Sequence, residues 1–139
     1  MIWKIPPNVA ALNQLSHGTA AGQLGIEFVE AGEDYLAATM PVDHRTQQPM
    51  GLLHGGASLL LAETLGSVAS TCCIDFPRQQ AVGLEINASH LRAVRSGQVR
   101  GTVRPLRVGR RIHVWDISIA DEAGRLVCVC RLTVAVITE

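Results

Sequence analysis

The chain has 139 residues, 47% of them apolar and only 4% aromatic, and its 12 Lys/Arg balance its 12 Asp/Glu. That length suits one domain around one core, residues 1–139, and no stretch reads as long and apolar enough to span a membrane. With no global basic excess and few aromatics for bases to stack on, nucleic acid is not the expected partner.

In chain order, the amino-terminal Met1 to Pro7 shows no signal-peptide pattern, so a cytoplasmic location is the expectation. Asn8 is placed to cap a short helix through about Ser16, with Val9, Leu12 and Leu15 on one side. Leu24 to Glu30 and Tyr35 to Pro41 read as two strands joined by the turn Gly32-Glu33-Asp34. Val42 to Leu53 is a polar loop with Pro49 and Gly51. It leads into the one long run with helix periodicity, which ends near Cys73 to Pro77.

At about 100° per residue, Ala57, Leu61, Leu65, Val68, Ala69 and Cys72 form one stripe of this helix, suited to covering a sheet. Gly56, Leu59, Glu63, Ser67 and Ser70 form the opposite stripe, small and polar, with Glu63 its only charge. Such a face fits close approach of a second subunit or a ligand as well as it fits solvent. At the helix start, His54-Gly55-Gly56 combines unpartnered N–H groups with two residues that lack side chains. The positive end of the helix dipole there suits a carbonyl oxygen that gains charge during reaction.

Beyond the helix the pattern alternates. Leu84, Ile86, Ala88 and His90 share a strand face, and Ser96-Gly97 turns the chain. Val99, Gly101 and Val103 alternate with Arg100, Thr102 and Arg104, and Arg107-Val108-Gly109-Arg110 turns it again. Trp115, Ile117 and Ile119 alternate next, Asp121 to Gly124 makes a third turn, and Leu126 to Ile137 is a final strand. Strands joined by short turns are antiparallel neighbours, and their apolar face needs the long helix as its cover. The fold class is therefore α+β, a long helix packed on or wrapped by an antiparallel sheet. Cys128 and Cys130 share a strand face with Leu126, Leu132, Val134 and Val136 and read as small core residues. With Cys72-Cys73 they lack metal-ligand spacing, and no metal site is expected.

Charge is balanced in total but not along the chain. Residues 1–91 hold three Lys/Arg against eight Asp/Glu, and residues 92–139 hold nine against four. Arg92, Arg95, Arg100, Arg104, Arg107, Arg110 and Arg111 fall within twenty residues. Arginine grips phosphate bidentately, so the cluster points to a small anionic, phosphorylated ligand. The alternative is that outward strand positions simply carry charge for solubility.

Four motifs then stand together: Met-Pro-Val-Asp-x-Arg-Thr-x-Gln-Pro (Met40 to Pro49), Gly-Leu-Leu-His-Gly-Gly-Ala (Gly51 to Ala57), Ala-Glu-Thr-Leu-Gly-Ser (Ala62 to Ser67) and Val-Gly-Leu-Glu-Ile-Asn-Ala-x-His-Leu-Arg (Val82 to Arg92). Their order and length closely resemble hotdog-fold acyl-CoA thioesterases, from the amino terminus to the last strand. The nearest branch resembles the bacterial enzymes acting on 1,4-dihydroxy-2-naphthoyl-CoA, and its sister group the proofreading thioesterases of enterobactin synthesis.

The resemblance implies hydrolysis of aryl- or acyl-CoA, with Glu63 as nucleophile or general base and the Gly55 N–H polarising the carbonyl. Gln48, His54 and Ser67 complete the implied catalytic set. The implied CoA contacts are Gly83, His90, Leu91, Arg92, Ala93, Arg107, Val108, Gly109, Arg110, Arg111 and Thr133. It also implies no separate cofactor, since CoA is part of the substrate, and a homo-oligomer: a dimer at least, and usually a tetramer of two dimers. Met50 stands where close relatives have Phe, and Ala93 departs from several of them. Both departures leave the acyl group open.

Three other readings are weighed against this one. A hotdog dehydratase would use a His base, and mid-helix this chain has Glu63 instead. A non-catalytic acyl-CoA-binding domain or a plain dimerising module is the other alternative, and turnover of Glu63 variants separates each from an enzyme.

Overall fold

The computed structural model describes all 139 residues. Along the chain come α1 (Val9–Leu15), α2 (Ala20–Gln23), β1 (Glu27–Ala31), β2 (Leu36–Pro41), α3 (Gly55–Cys73), β3 (Gln79–His90), β4 (Gln98–Val108), β5 (Ile112–Ala120) and β6 (Leu126–Thr138). The strands make one antiparallel sheet in the order β1-β2-β4-β5-β6-β3, so β1 and β3 are its edges. The sheet curls round α3. Ala57, Leu61, Ala62, Leu65 and Ala69 are buried against Val99, Val103, Trp115, Ile117, Ile119, Leu132 and Val134. At Gly66 a Cβ would come within 2.4 Å of Leu132, so helix and sheet approach more closely there than any side chain would allow.

With 19 residues and Glu63 its one charge, α3 does reach the length and apolarity of a membrane span, contrary to the expectation from sequence. The strands cover its inner face, and 56% of that span is buried inside the molecule. Its carboxyl-terminal end is closed by the amino-terminal arm. The Cys72 carbonyl accepts from the Lys4 and Ile5 N–H groups at 2.9 and 3.0 Å, and the Trp3 indole donates to the Gly32 carbonyl at 2.8 Å.

Three local expectations change. The first strand begins later than expected: Leu24 is the C-cap of α2, a helix that Thr19 caps at its start, and Gly25 turns the chain at positive φ, so β1 runs only from Glu27. The register of β3 slips between Gly83 and Glu85. This bulge puts Leu84 outward, 59% exposed, while Ile86 and Ala88 keep the inward face. Ser70 is fully buried, not on an open polar stripe. The sheet curls over the Ser70 side of α3, and Ser70 serves polar groups of that sheet. Its hydroxyl accepts from the Trp115 indole N–H at 2.6 Å and lies 2.9 Å from His113 Nδ1.

Burial pushes the His113 imidazole below the ordinary histidine range, against an opposing backbone hydrogen bond at Gly109. A lowered folded-state value means the unfolded chain binds the extra proton more readily. This contribution to stability is therefore complete above about pH 6.5 and is lost as pH falls below it. Urea unfolding at pH 7.5 and pH 5 is expected to show this loss. Ser70→Ala leaves the indole N–H without its acceptor and is expected to cost about 1–3 kcal/mol at neutral pH in the same measurement.

Candidate active site

Three first-turn N–H groups of α3 find partners in its own cap. His54 is extended, and its ring Nδ1 accepts from the Gly56 N–H at 2.8 Å. Its carbonyl accepts from the Ala57 and Ser58 N–H groups at 3.0 and 3.2 Å. Gly55 is left as the amide at this helix start that the chain itself does not use. Because His54 Nδ1 is an acceptor, the proton of the neutral ring sits on Nε2, leaving an N–H donor on an exposed ring.

A cleft of about 390 Å³ opens at this point, lined by Gln48, Gly55, His90, Leu91, Arg92 and Ala93 among others. Gln48 sits in a tight turn closed by the Gly51 N–H on the Gln48 carbonyl, with Gly51 at positive φ. Its side-chain oxygen accepts from the Met50 N–H, so the two amide N–H donors stay free. His90 packs directly on Gly55: a Cβ there would lie 2.9 Å from His90 Nε2. The Leu91 and Arg92 N–H groups both reach the Val127 carbonyl, which fixes the far wall.

A second groove, of about 470 Å³, lies further along α3. Glu63, Ser67, Leu60, Thr64 and Val68 form its floor. Leu12, Leu15 and Phe28 are among the residues of its apolar wall, which α1, α2 and β1 supply. The Asn13 side chain holds that wall in place. Its Nδ2 donates to the Phe28 carbonyl at 3.0 Å, and its Oδ1 accepts from the Phe28 N–H at 2.7 Å. The sequence reading placed Leu12 and Leu15 on one helix face but gave them no part in a site. Val68, on the core stripe, packs against the core and also lines this groove. Glu63 is exposed in the single chain, and all six ion pairs of the protein lie elsewhere. Its Oε2 would lie 2.8 Å from a Cβ at Gly83, so the edge strand passes directly beside the carboxylate.

The structure thus gathers Gln48, His54, Gly55, His90, Leu91, Arg92 and Ala93 at the helix start, and Glu63, Ser67 and Gly83 half-way along it. The two groups are eight residues apart on α3, about 12 Å at 1.5 Å per residue. The remaining implied contacts lie elsewhere. Arg107 and Val108 end β4, and with Gly109, Arg110 and Arg111 they form the turn into β5. That turn meets β6 near Val134, opposite Gly83 and six residues along the strand from Cys128, the partner of His90. This is about 20 Å at the rise of a strand. Thr133 alternates with buried Leu132 and Val134, so it lies on the sheet face away from the helix. Met50 is 73% exposed and lines neither groove.

Two of the clustered arginines are already engaged. Arg100 pairs with Glu30, and Arg104 reaches Asp34 at 3.4 Å while stacking over Tyr35. Both pairs tie β4 to the β1–β2 hairpin, so the solubility-and-packing reading holds for them. Arg92, Arg95, Arg107, Arg110 and Arg111 make no ion pair within the chain.

A long helix enclosed by a six-stranded antiparallel sheet of this order is the hotdog fold. Residues 50–128 match the thioesterase superfamily. Over 137 residues the chain is 54% identical to the 1,4-dihydroxy-2-naphthoyl-CoA hydrolase of Escherichia coli, covering 99% of this chain and all of that protein. It is 55% identical over 136 residues to the proofreading thioesterase EntH of Cronobacter turicensis, covering 98% of each. A crystal structure of a thioesterase from Haemophilus influenzae superposes with a TM-score of 0.95 at 51% identity, covering 99% of this chain and 96% of that one. The chain belongs to the thioesterase superfamily, and it is a thioester hydrolase.

The contact between Gly83 and Glu63 gives a direct check of the carboxylate's position. Gly83 is in a strand at ordinary φ, so Gly83→Ala is expected to fold normally. Its methyl group displaces Glu63, and kcat is expected to fall by about tenfold or more. Wild-type kcat in a folded Gly83→Ala protein would show that Glu63 does not work from this position.

Proposed function

We propose that this protein hydrolyses aryl- or acyl-CoA thioesters in the cytoplasm, as a homodimer at least and most often a tetramer of two dimers, with no cofactor beyond the CoA of its substrate. What carries this reading is the separation of two half-sites on α3. Gly55 and Glu63 are separated by about 12 Å of helix rise, so the unused N–H and the carboxylate of one subunit do not meet on one carbonyl group. Setting the helix start of one subunit against the helix middle of a second brings them together. The free edge of β3 supports that assembly. It has no strand partner on one side and exposes Val82 and Leu84, at 43% and 59%.

In such a site the thioester oxygen rests on the Gly55 N–H, with Gln48 Nε2 and His54 Nε2 as further donors. Acting as general base, Glu63 takes a proton from water, and the hydroxyl adds to the acyl carbon. The oxyanion then collapses, the carbon–sulfur bond breaks, and the proton passes to the departing CoA thiolate. Acting as nucleophile, Glu63 adds to the acyl carbon, the carbon–sulfur bond breaks to release the CoA thiolate, and water opens the resulting mixed anhydride to regenerate the carboxylate, its proton passing to the thiolate. Ser67, one turn on, positions the water or the acyl group. The acyl group occupies the apolar groove beside Glu63, whose size suits an aryl ring. The naphthoyl substrate in the name of the Escherichia coli relative fits this, as does an aryl thioester on a carrier protein.

The CoA chain leaves along the cleft of His90, Leu91, Arg92 and Ala93, with its phosphates toward Arg92. The turn from Arg107 to Arg111, with Val108 and Gly109, supplies further cations from the other protomer. Thr133 contributes only through the sheet that carries this turn.

Glu63→Gln keeps size and hydrogen bonding but removes the base. Release of free thiol from a panel of aryl- and fatty-acyl-CoAs is expected to fall by about 10²–10⁴-fold, with substrate binding retained. Turnover by Glu63→Gln equal to wild type would remove the carboxylate from the mechanism.

A further inference from the structure

We propose that Cys128 is a positioning residue for catalysis: its thiol fixes the tautomer of His90 so that Nε2–H is held beside Gly55 as a further donor to the thioester oxygen. This rests on the thioesterase site just described and adds a residue that lines neither groove.

Cys128 is fully buried on β6, directly opposite His90 on β3. Its Sγ lies 3.5 Å from His90 Nδ1 and 3.6 Å from Cys130 Sγ. Burial raises the pKa of both thiols, Cys130 to about 12, so each remains S–H at neutral pH. An imidazole nitrogen is a far better acceptor than sulfur. The favoured arrangement therefore runs in one direction: Cys130 S–H to Cys128 sulfur, and Cys128 S–H to His90 Nδ1. The proton of the neutral ring then sits on Nε2.

That nitrogen is the one packed on Gly55, 2.9 Å from where a Cβ would stand. His54 has the same form, with Nδ1 accepting from the Gly56 N–H. Two imidazoles thus flank the free amide, each with its inner nitrogen occupied and its outer nitrogen carrying a proton. With the opposite tautomer, His90 would present a lone pair to the oxygen and repel it.

The tautomer of unliganded wild-type protein can be read from long-range ¹H–¹⁵N NMR of the imidazole nitrogens. An unprotonated Nδ1 and a protonated Nε2 on His90 are expected, and a protonated Nδ1 would overturn the proposal. Cys128→Ala is expected to mix the two tautomers and lower kcat by about tenfold, less than the loss of a whole oxyanion donor, with KM changed about twofold or less. Cys128→Ser keeps a donor and is expected to recover most of kcat. Wild-type kcat in Cys128→Ala, or equal loss in both variants, would assign Cys128 to packing alone. The NMR result needs no turnover, so it stands apart from any failure of the Glu63 assignment.

Discussion

The site depends on how the first turn of α3 is satisfied. A helix start carries N–H groups with no partner inside the helix, and a buried donor left unpaired is costly. Here one residue meets most of the need. His54 uses its ring nitrogen for Gly56 and its carbonyl for Ala57 and Ser58, so the remaining amide belongs to Gly55. The two glycines follow from this packing. A Cβ at Gly56 would stand 3.0 Å from the His54 ring, and one at Gly55 would strike His90. The motif His54-Gly55-Gly56, with His90 packed on it from β3, thus sets two imidazoles against a backbone whose Gly55 N–H is left for a ligand.

The same helix is what motivates the proposed dimer. Its inner stripe is committed to the sheet, and its outer stripe carries Glu63 at a point the helix start cannot reach. The bulge at Gly83 brings the edge strand against Glu63 and turns Leu84 outward. The feature that shapes the catalytic groove therefore also leaves an apolar strand edge in need of cover. Chemistry and assembly share a strand, which ties the proposed dimer to the site.

Much of this was readable in the sequence because it is local. The helix period, the strand alternation through Val99, Gly101 and Val103, and the cap at Asn8 are all properties of neighbours in the chain. Ser70 was not readable. Its place on the helical wheel is that of Glu63, and only the curl of the sheet over the last turns of α3, with the indole N–H of Trp115 in need of an acceptor, reverses its environment. Leu84 was lost for a similar reason, since a bulge changes strand parity without any mark in the alternation. The arginine cluster was half legible. Spacing along the chain cannot show that Arg100 and Arg104 meet Glu30 and Asp34 from a distant hairpin.

The acyl groove shows where legibility ends for function. The carboxylate and the amide lie on one helix and belong to short motifs, so the reaction class can be read from them. The groove wall opposite Glu63 comes from α1, α2 and β1, far away in the chain and held by the paired bonds between Asn13 and the Phe28 backbone. Its size is set by Leu12, Leu15 and Phe28, none of which takes part in the chemistry. Val68 on the helix faces the same space. Met50, at 73% exposure, does not reach it within the subunit. In the proposed site, substrate choice therefore rests on apolar side chains that can change volume without disturbing the Gly55 amide or Glu63.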